Sequence, residues 1–502
     1  MMNKRVIIVL YVGLLAALPL CSLSQEVLSA SLVEHRKQGD STLYVRLGTD
    51  EPLSGAFKFI QNDHAYELAH FRDGRLDGSY NRFVYGQCVT AGVFRDSRKD
   101  ESWRFYSIPF ERDDAIYLKQ TAFYQEGLPH GEWIRYETTV ATGFKPVAVE
   151  KIQFNKGYIE LRETFSEEGW RMTSCTYRNN VKHGKEMGYY ADGKVMKETE
   201  YRMGVRTGIS VLYHPNGQLA KRGGYDEQGE ATGKWETWAE NGTLTGWAHY
   251  KKGVLAGAFE SFYDNGSRRQ KGVHADDGSG AFIGDYRRWY DNGNPAEAIR
   301  TDKRGRKQGK EQRWYENGNL QLEANYRDGI LVGERRTYFE NGQLEELTTY
   351  SAVEHVVDEW GAQATYAKSG PYKRYNAEGQ LLEEGKHVHD KKAGEWKTYL
   401  DGKLRRVQDF EDGLESGAYT LYYEGRLREA GAFKILTDEY GNRYSGKDGL
   451  WVEYYYESDY PEGLKRWEVH WKDGRKHGKA LRYDTSGKVS LEEQYEHGKQ
   501  IQ

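Results

Sequence analysis

The sequence predicts an all-β protein: an elongated, solenoid-like array of tandem antiparallel β-hairpins forming one long twisted sheet. Three observations predict it. A glycine followed five residues later by an aromatic recurs about every 24 residues, about seventeen times. Asn-Gly or Asp-Gly stands midway through many of these units. The 502 residues hold 39 Tyr, 13 Trp and 57 Gly, but only 9 Pro and 6 Met. Tyr and Trp suit a thin sheet whose faces are partly wet, because each ring is apolar with a polar tip. Plentiful glycine with scarce proline suits tight turns between strands that pair without interruption.

The clearest unit runs from Gly309 to Gly333. Trp314 follows the opening glycine, Asn317-Gly318 marks a turn, and Leu320 and Leu322 begin the return strand. Tyr326, Gly329 and Gly333 close the unit as Tyr-x-x-Gly-x-x-x-Gly. The same frame opens at Gly184, Gly208, Gly233, Gly257, Gly284, Gly333, Gly370, Gly394, Gly417, Gly449 and Gly478. The aromatic then falls on Tyr189, Tyr213, Trp238, Phe262, Trp289, Tyr338, Tyr375, Tyr399, Tyr422, Tyr454 and Tyr483. With Trp314 these are the expected repeat-core aromatics. A second aromatic often sits two residues after the glycine: Trp235, Phe259, Tyr286, Tyr372, Trp396, Tyr419 and Trp451. In a regular strand the two positions face opposite sides, and a bulge in the first strand would bring both to one face.

The turn glycines are Gly217, Gly242, Gly266, Gly293, Gly318 and Gly342, each preceded by Asn. Asn-Gly is the preferred pair of a type I′ turn, which needs positive φ at both central residues. Asp192-Gly193 and Asp401-Gly402 are accepted variants. The opening and closing glycines then mark the bend between hairpins.

The chain divides into a leader at 1–24, a lead-in at 25–54, degenerate repeats at 55–183 and regular repeats at 184–502. Lys4 and Arg5 precede an apolar run over 6–20, and Ser22-Leu23-Ser24 offers small residues before Gln25. This pattern is that of a signal peptide and implies export: periplasmic, outer-membrane associated or secreted. Lipoprotein processing at Cys21 is disfavoured because Leu20 stands where a small residue belongs. Four stretches exceed the repeat, at 108–118, 138–151, 351–368 and 434–447, and the spacing predicts that they loop out of the sheet. Cys88 and Cys175 fall in different repeats, too far apart to bridge.

The net charge is −4, with both signs interspersed, so nucleic-acid binding has no electrostatic support. No phosphate loop, His-Glu-x-x-His pair or Gly-x-Ser-x-Gly elbow occurs. His130, His183 and His477 recur just before an opening glycine, which marks a structural position. His387 and His389 share a strand face beside Asp390, a weak metal spacing for which the loop reading is preferred. No catalytic residue, metal or cofactor is expected.

Gly-x-x-x-x-aromatic, Asn-Gly, then Tyr-x-x-Gly-x-x-x-Gly resembles the MORN repeat (membrane occupation and recognition nexus) in its bacterial variant. Lys182-His183-Gly184, Lys476-His477-Gly478 and Pro129-His130-Gly131 match the Lys/Arg-His-Gly step between such repeats. Proteins of this variant are often labelled YwqK-family antitoxins. The resemblance covers about Gly55 to Lys499 and implies a twisted sheet that binds proteins or, in some members, phospholipid. The chain departs from eukaryotic MORN repeats in lacking a glycine two residues into each unit. The expected function is therefore a non-catalytic, exported protein–protein interaction scaffold. The alternatives are a carbohydrate or cell-wall binder and an antitoxin-like binding protein. The expected partner is a protein, then a glycan or membrane surface, and not nucleic acid.

Overall fold

A computed structural model describes residues 25–39, 41–108, 116–138, 143, 145–357 and 363–501. The expected signal peptide and Cys21 lie outside the described residues. The described chain is all-β apart from one 3₁₀ turn at Ala30–Leu32. No helix among these residues is long and apolar enough to cross a membrane. The chain forms two compact units: 1–217 with 227–229, and 218–226 with 230–502.

The first unit begins with a lead-in. Glu26–Ser29 pairs in parallel with Gly55–Asn62, and Val33–Gln38 forms a hairpin with Ser41–Arg46. From Gly55–Asn62 onward, successive strands of the unit pair antiparallel in chain order as far as Val205–Tyr213. The second unit continues this pattern from Leu219–Tyr225 to Val489–Glu496.

Two bulges recur in each repeat. Thr207 pairs with Glu200 and Ser210 with Thr199, which leaves Gly208 and Ile209 unpaired. Gly208 has φ 63°. At Gly309 (φ 68°) no atom lies within 4 Å of where a Cβ would sit. Conformation therefore selects glycine at Gly309. The second bulge lies in the return strand, where Arg313 pairs with Leu322 and Trp314 with Leu320, skipping Gln321.

The turns are distributed differently from the sequence expectation. At the six Asn-Gly pairs only the glycine takes positive φ, between 82° and 91°. Asn317 Oδ1 accepts the Asn319 N–H at 2.9 Å, an Asx turn that keeps the asparagine out of the left-handed region. Gly318 N–H closes back onto the Tyr315 carbonyl at 3.0 Å, as in a type I turn followed by a left-handed glycine. The type I′ signature, positive φ at two successive residues, belongs instead to the bend between hairpins. Asp328-Gly329, Met203-Gly204 and Asp412-Gly413 show it. Asp401-Gly402 also shows it, as the sequence suggests.

Two of the four insertions are strand, not loop. Leu344–Val357 pairs with Gln363–Tyr375, so the described part of 351–368 lengthens a hairpin. Arg426–Thr437 pairs with Arg443–Tyr454 out to Thr437 and Arg443, so 434–447 does the same. Pairing satisfies the backbone N–H and C=O groups that an irregular loop would leave to water. Val147–Asn155 is likewise strand, which shortens the insertion at 138–151. Part of 108–118 lies outside the described residues.

Candidate interaction surface

The residue two positions after the opening glycine builds one face. Trp396 is 2% exposed. A Cβ at position 385 would lie 2.3 Å from Trp396 Cδ2, so the indole lies flat on Gly385. Trp396 Nε1 donates to the Lys386 carbonyl at 3.1 Å. Tyr372 and His387 pack on the indole with centroids 5.4 and 5.0 Å away. Lys392, two residues before the opening glycine, holds its ammonium 3.9 Å over the ring and 2.6 Å from Glu383 Oε1. This rung is thus a sandwich of glycine, ring and cation. Trp451 repeats it on Gly431 with Lys447 and Glu429, and Trp103 on Gly92 with Lys99.

Where a carboxylate replaces the ring, the same lysine becomes its ion-pair partner. Glu186 meets Lys182 and Lys197 (3.2 Å to the latter). Glu311 is 1% exposed and meets Lys307 at 2.7 Å and Arg313 at 2.7 Å. Burial pushes the Glu311 carboxyl up, but the Lys307 hydrogen bond and charge outweigh it and leave it below the usual carboxylate range. A depressed carboxyl stabilises the fold above its unfolded pKa, and that contribution fades as pH falls through the folded one. Lys307→Met should therefore cost about 2–3 kcal/mol at neutral pH, because Arg313 alone must balance a buried charge. The penalty should shrink below about pH 4, where the carboxyl is protonated. Denaturant midpoints of the variant and the parent at the two pH values check this.

The twelve aromatics at the fifth position are half-buried and lie on the opposite face. Tyr399 Oη donates to Glu384 Oε1 at 2.7 Å, and Glu384 pairs in register with Lys397, not Trp396. Tyr213 reaches Glu198 and Tyr483 reaches Glu468 in the same way. Arg171 covers the Tyr189 ring at 4.2 Å and Arg268 the Trp289 ring at 5.3 Å. The bulges do not bring the two aromatic positions together. Of the two aromatic positions in the regular repeats, the second holds the buried rings: Trp235, Phe259, Tyr286, Tyr372, Trp396 and Trp451, with Tyr419 half-buried.

Both edges are stitched repeat to repeat. On one, the tyrosine after the fifth-position aromatic donates to the next repeat's backbone: Tyr190 to Tyr213, Tyr290 to Trp314 and Tyr315 to Tyr338, at 2.7–2.8 Å. On the other, the closing glycine donates to the carbonyl of the rung lysine, as Gly204 does to Lys182 at 2.8 Å. The residue before the opening glycine accepts the neighbouring N–H. His130 takes it from Lys156 (3.3 Å), His183 from Met203 (3.4 Å) and Asp448 from Asp473 (3.2 Å). His130 and His183 thus hold successive turns together, while His477 packs against His497 with centroids 5.3 Å apart.

His387 and His389 are not brought together as a ligand pair. His387 is wedged between Tyr372 and Trp396, and burial lowers its pKa, helped by Lys368 and Lys392. His389 sits in the turn at φ 49°. Among the described residues no group of three His, Cys, Asp or Glu side chains is placed to hold a metal. Cys88 and Cys175 are free thiols, each pushed up by burial.

Among the described residues, the most exposed aromatic ring is on the lengthened hairpin Arg426–Thr437 and Arg443–Tyr454. Tyr440, at its tip, is 82% exposed, and Tyr444 is 46% exposed. The tip closes at the backbone as the Asn-Gly turns do, with Gly441 N–H on the Asp438 carbonyl at 3.1 Å, but its capping side chain stands three residues before the glycine. Asp438 Oδ1 accepts the Tyr440 and Asn442 N–H groups at 2.9 and 2.8 Å, and Gly441 has φ 87°. The arm is anchored to flanking turns. Arg443 meets Asp412 at 2.9 Å and Glu411 at 3.2 Å, and Lys434 meets Asp473 at 3.0 Å. Lys391 and then Arg443 hold the Asp412 carboxyl below its usual range, and Lys434 does the same for Asp473. Depressed carboxyls contribute above their unfolded pKa and lose that contribution as pH falls. The arm should therefore loosen selectively below about pH 4. Hydrogen-exchange protection factors over 434–447 should fall there while those of Lys391–Leu400 hold.

A family described as "MORN repeat variant" matches residues 182–203, 206–227, 307–328, 331–352 and 476–497. None of the curated proteins compared matches the chain. Among solved structures, TcdB2-TccC3-TEV shows 11% identity over 89% of this chain and 24% of its own, with a TM-score of 0.13. A Photorhabdus luminescens Tc holotoxin pore shows 13% identity over 86% and 26%, with a TM-score of 0.12. The chain spans about a quarter of those proteins, and likeness at this level carries no argument about fold or function.

Proposed function

For this MORN-repeat protein, of the variant class, we propose the role of an exported, non-catalytic scaffold that docks a protein partner. The carrying observation is the anchored arm with Tyr440 and Tyr444 at and near its tip. An exposed tyrosine adds large contact area at low conformational cost, the character of an interface hot spot. Ion pairs to Asp412, Glu411 and Asp473 preorganise the arm and so reduce the entropy lost on binding. The periodic stitching of both edges supplies a stiff support.

The test compares affinity capture from the native cell envelope by the parent chain and by a Tyr440→Ala, Tyr444→Ala variant. The proposal expects a discrete partner retained by the parent and depleted at least about tenfold with the variant, equivalent to about 1.4 kcal/mol. Equal recovery by both would defeat it.

A carbohydrate-binding reading has one observation in its favour. Tyr423 is 39% exposed and packs on Tyr456 at 5.0 Å, with Arg405 and Arg428 over the rings at 5.4 and 5.0 Å. Leu400, Arg405 and Tyr423 line a 220 Å³ groove beside it. Glycan-array retention that Tyr423→Ala abolishes would favour this reading over a protein partner.

A further inference from the structure

In the first unit the Tyr80 rung lacks its cation. Tyr80 stands two residues after Gly78, the place Trp396 holds after Gly394. The ring beside it in the rung is Phe71, in the place of His387, and the carboxylate is Glu67, in the place of Glu383. The registers agree: Phe71 pairs with Leu76 as His387 pairs with Lys392. The stitching agrees as well, since Ser97 N–H donates to the Leu76 carbonyl at 2.7 Å and Gly413 N–H to the Lys392 carbonyl at 3.0 Å. The rung lysine is therefore replaced by Leu76.

The place is roofed rather than filled. Ala30, Val33, His35 and Tyr44 of the lead-in close over Phe59, Glu67, Phe71, Leu76 and Tyr80, leaving a cavity of about 120 Å³. Tyr44, Phe59 and Phe71 form its aromatic wall, with centroids 5.1 Å (Tyr44–Phe71) and 5.5 Å (Phe59–Phe71) apart. Glu67 Oε1 accepts from Gln61 at 2.6 Å. No Lys or Arg lines the cavity; Arg82 pairs in register with Glu67 but is not part of the lining. Burial and the Glu67 charge push both the Tyr44 and Tyr80 phenols up, as expected beside a carboxylate with little cationic compensation.

We propose that this cavity binds a small organic ammonium ion, which takes the place that the lysine ammonium occupies in the Trp103, Trp396 and Trp451 rungs. Ring faces carry negative potential and Glu67 supplies the counter-charge, the combination that recognises alkylated ammonium groups. The volume suits a group of trimethylammonium size.

Calorimetric titration of the full chain with tetramethylammonium and with neopentyl alcohol, an uncharged group of similar bulk, tests the proposal. Saturable binding of the cation is expected, at least about tenfold tighter than the alcohol. Glu67→Gln should weaken cation binding about tenfold while leaving the alcohol unchanged. Leu76→Lys should abolish cation binding by restoring the internal ammonium, and it should fold because other rungs carry lysine there. Choline together with phosphatidylcholine vesicles separates two sources of the cation. Pelleting with vesicles assigns a lipid headgroup, and choline binding without pelleting assigns a free amine. Equal affinity for the cation and the alcohol, absence of saturable cation binding, or undiminished binding by Leu76→Lys would overturn the proposal.

Discussion

Trp103→Ala is expected to destabilise its neighbourhood by about 3–5 kcal/mol, the cost of removing a fully buried large ring. Trp103 is 1% exposed. It packs on Phe94 at 4.9 Å, Phe105 at 6.1 Å and Tyr124 at 6.3 Å, under the Lys99 ammonium at 4.6 Å. Its Nε1 donates to the Val93 and Asp100 carbonyls, both at 3.1 Å. Truncation removes the ring and leaves those acceptors and the lysine without it. Each repeat contacts mainly its neighbours, so the loss should be local. Hydrogen exchange should quicken in Arg75–Val84, Gln87–Arg95, Arg98–Ser107 and Tyr117–Gln125. Strands several repeats away, such as Val195–Arg202, should keep their protection.

Gly385→Ala is expected to cost about 2–3 kcal/mol by overpacking, although alanine is normally a mild replacement in a strand. The new Cβ would fall 2.3 Å from Trp396 Cδ2 and 2.4 Å from Cε2. The indole cannot step aside, because Lys392 lies over it and Tyr372 and His387 pack on it. In a Trp396→Ala background the same glycine change should be nearly silent, since the clashing ring is gone. A double-mutant cycle on unfolding free energy should therefore give a coupling of about 2 kcal/mol or more. Additive effects would mean that glycine at 385 serves backbone freedom rather than ring contact.

The repeat frame was legible because its glycines and aromatics are spaced by backbone geometry, which a one-dimensional pattern records. Gly309, Trp314 and Gly318 fall where the bulge, the half-buried ring and the turn occur. The division of labour between the aromatic positions was less legible. The fifth position is the more regular, yet the second is the more buried, because only it faces a glycine across the strand pair. That signal was present as Gly-x-aromatic in the preceding strand: Gly92-x-Phe94, Gly223-x-Tyr225 and Gly431-x-Phe433. Its meaning depends on cross-strand register, which spacing within one strand does not supply. The turn types were exchanged for a similar reason. Asn-Gly permits positive φ at both residues, but the Asn317 side chain binds its own backbone and the Asp328-Gly329 pair takes the I′ geometry instead. The arm's tip was readable in retrospect, since Asp438 and Gly441-Asn442 repeat the spacing of the regular turns.

Site-specific photocrosslinking in the native source tests the central claim, that the arm docks a protein, most directly. One crosslinker replaces Tyr440 and a control replaces Tyr85, a turn residue of the first unit that is 66% exposed. The account predicts a discrete protein adduct from position 440 and none of that size from position 85. No adduct at 440, or the same adducts at both positions, would contradict it.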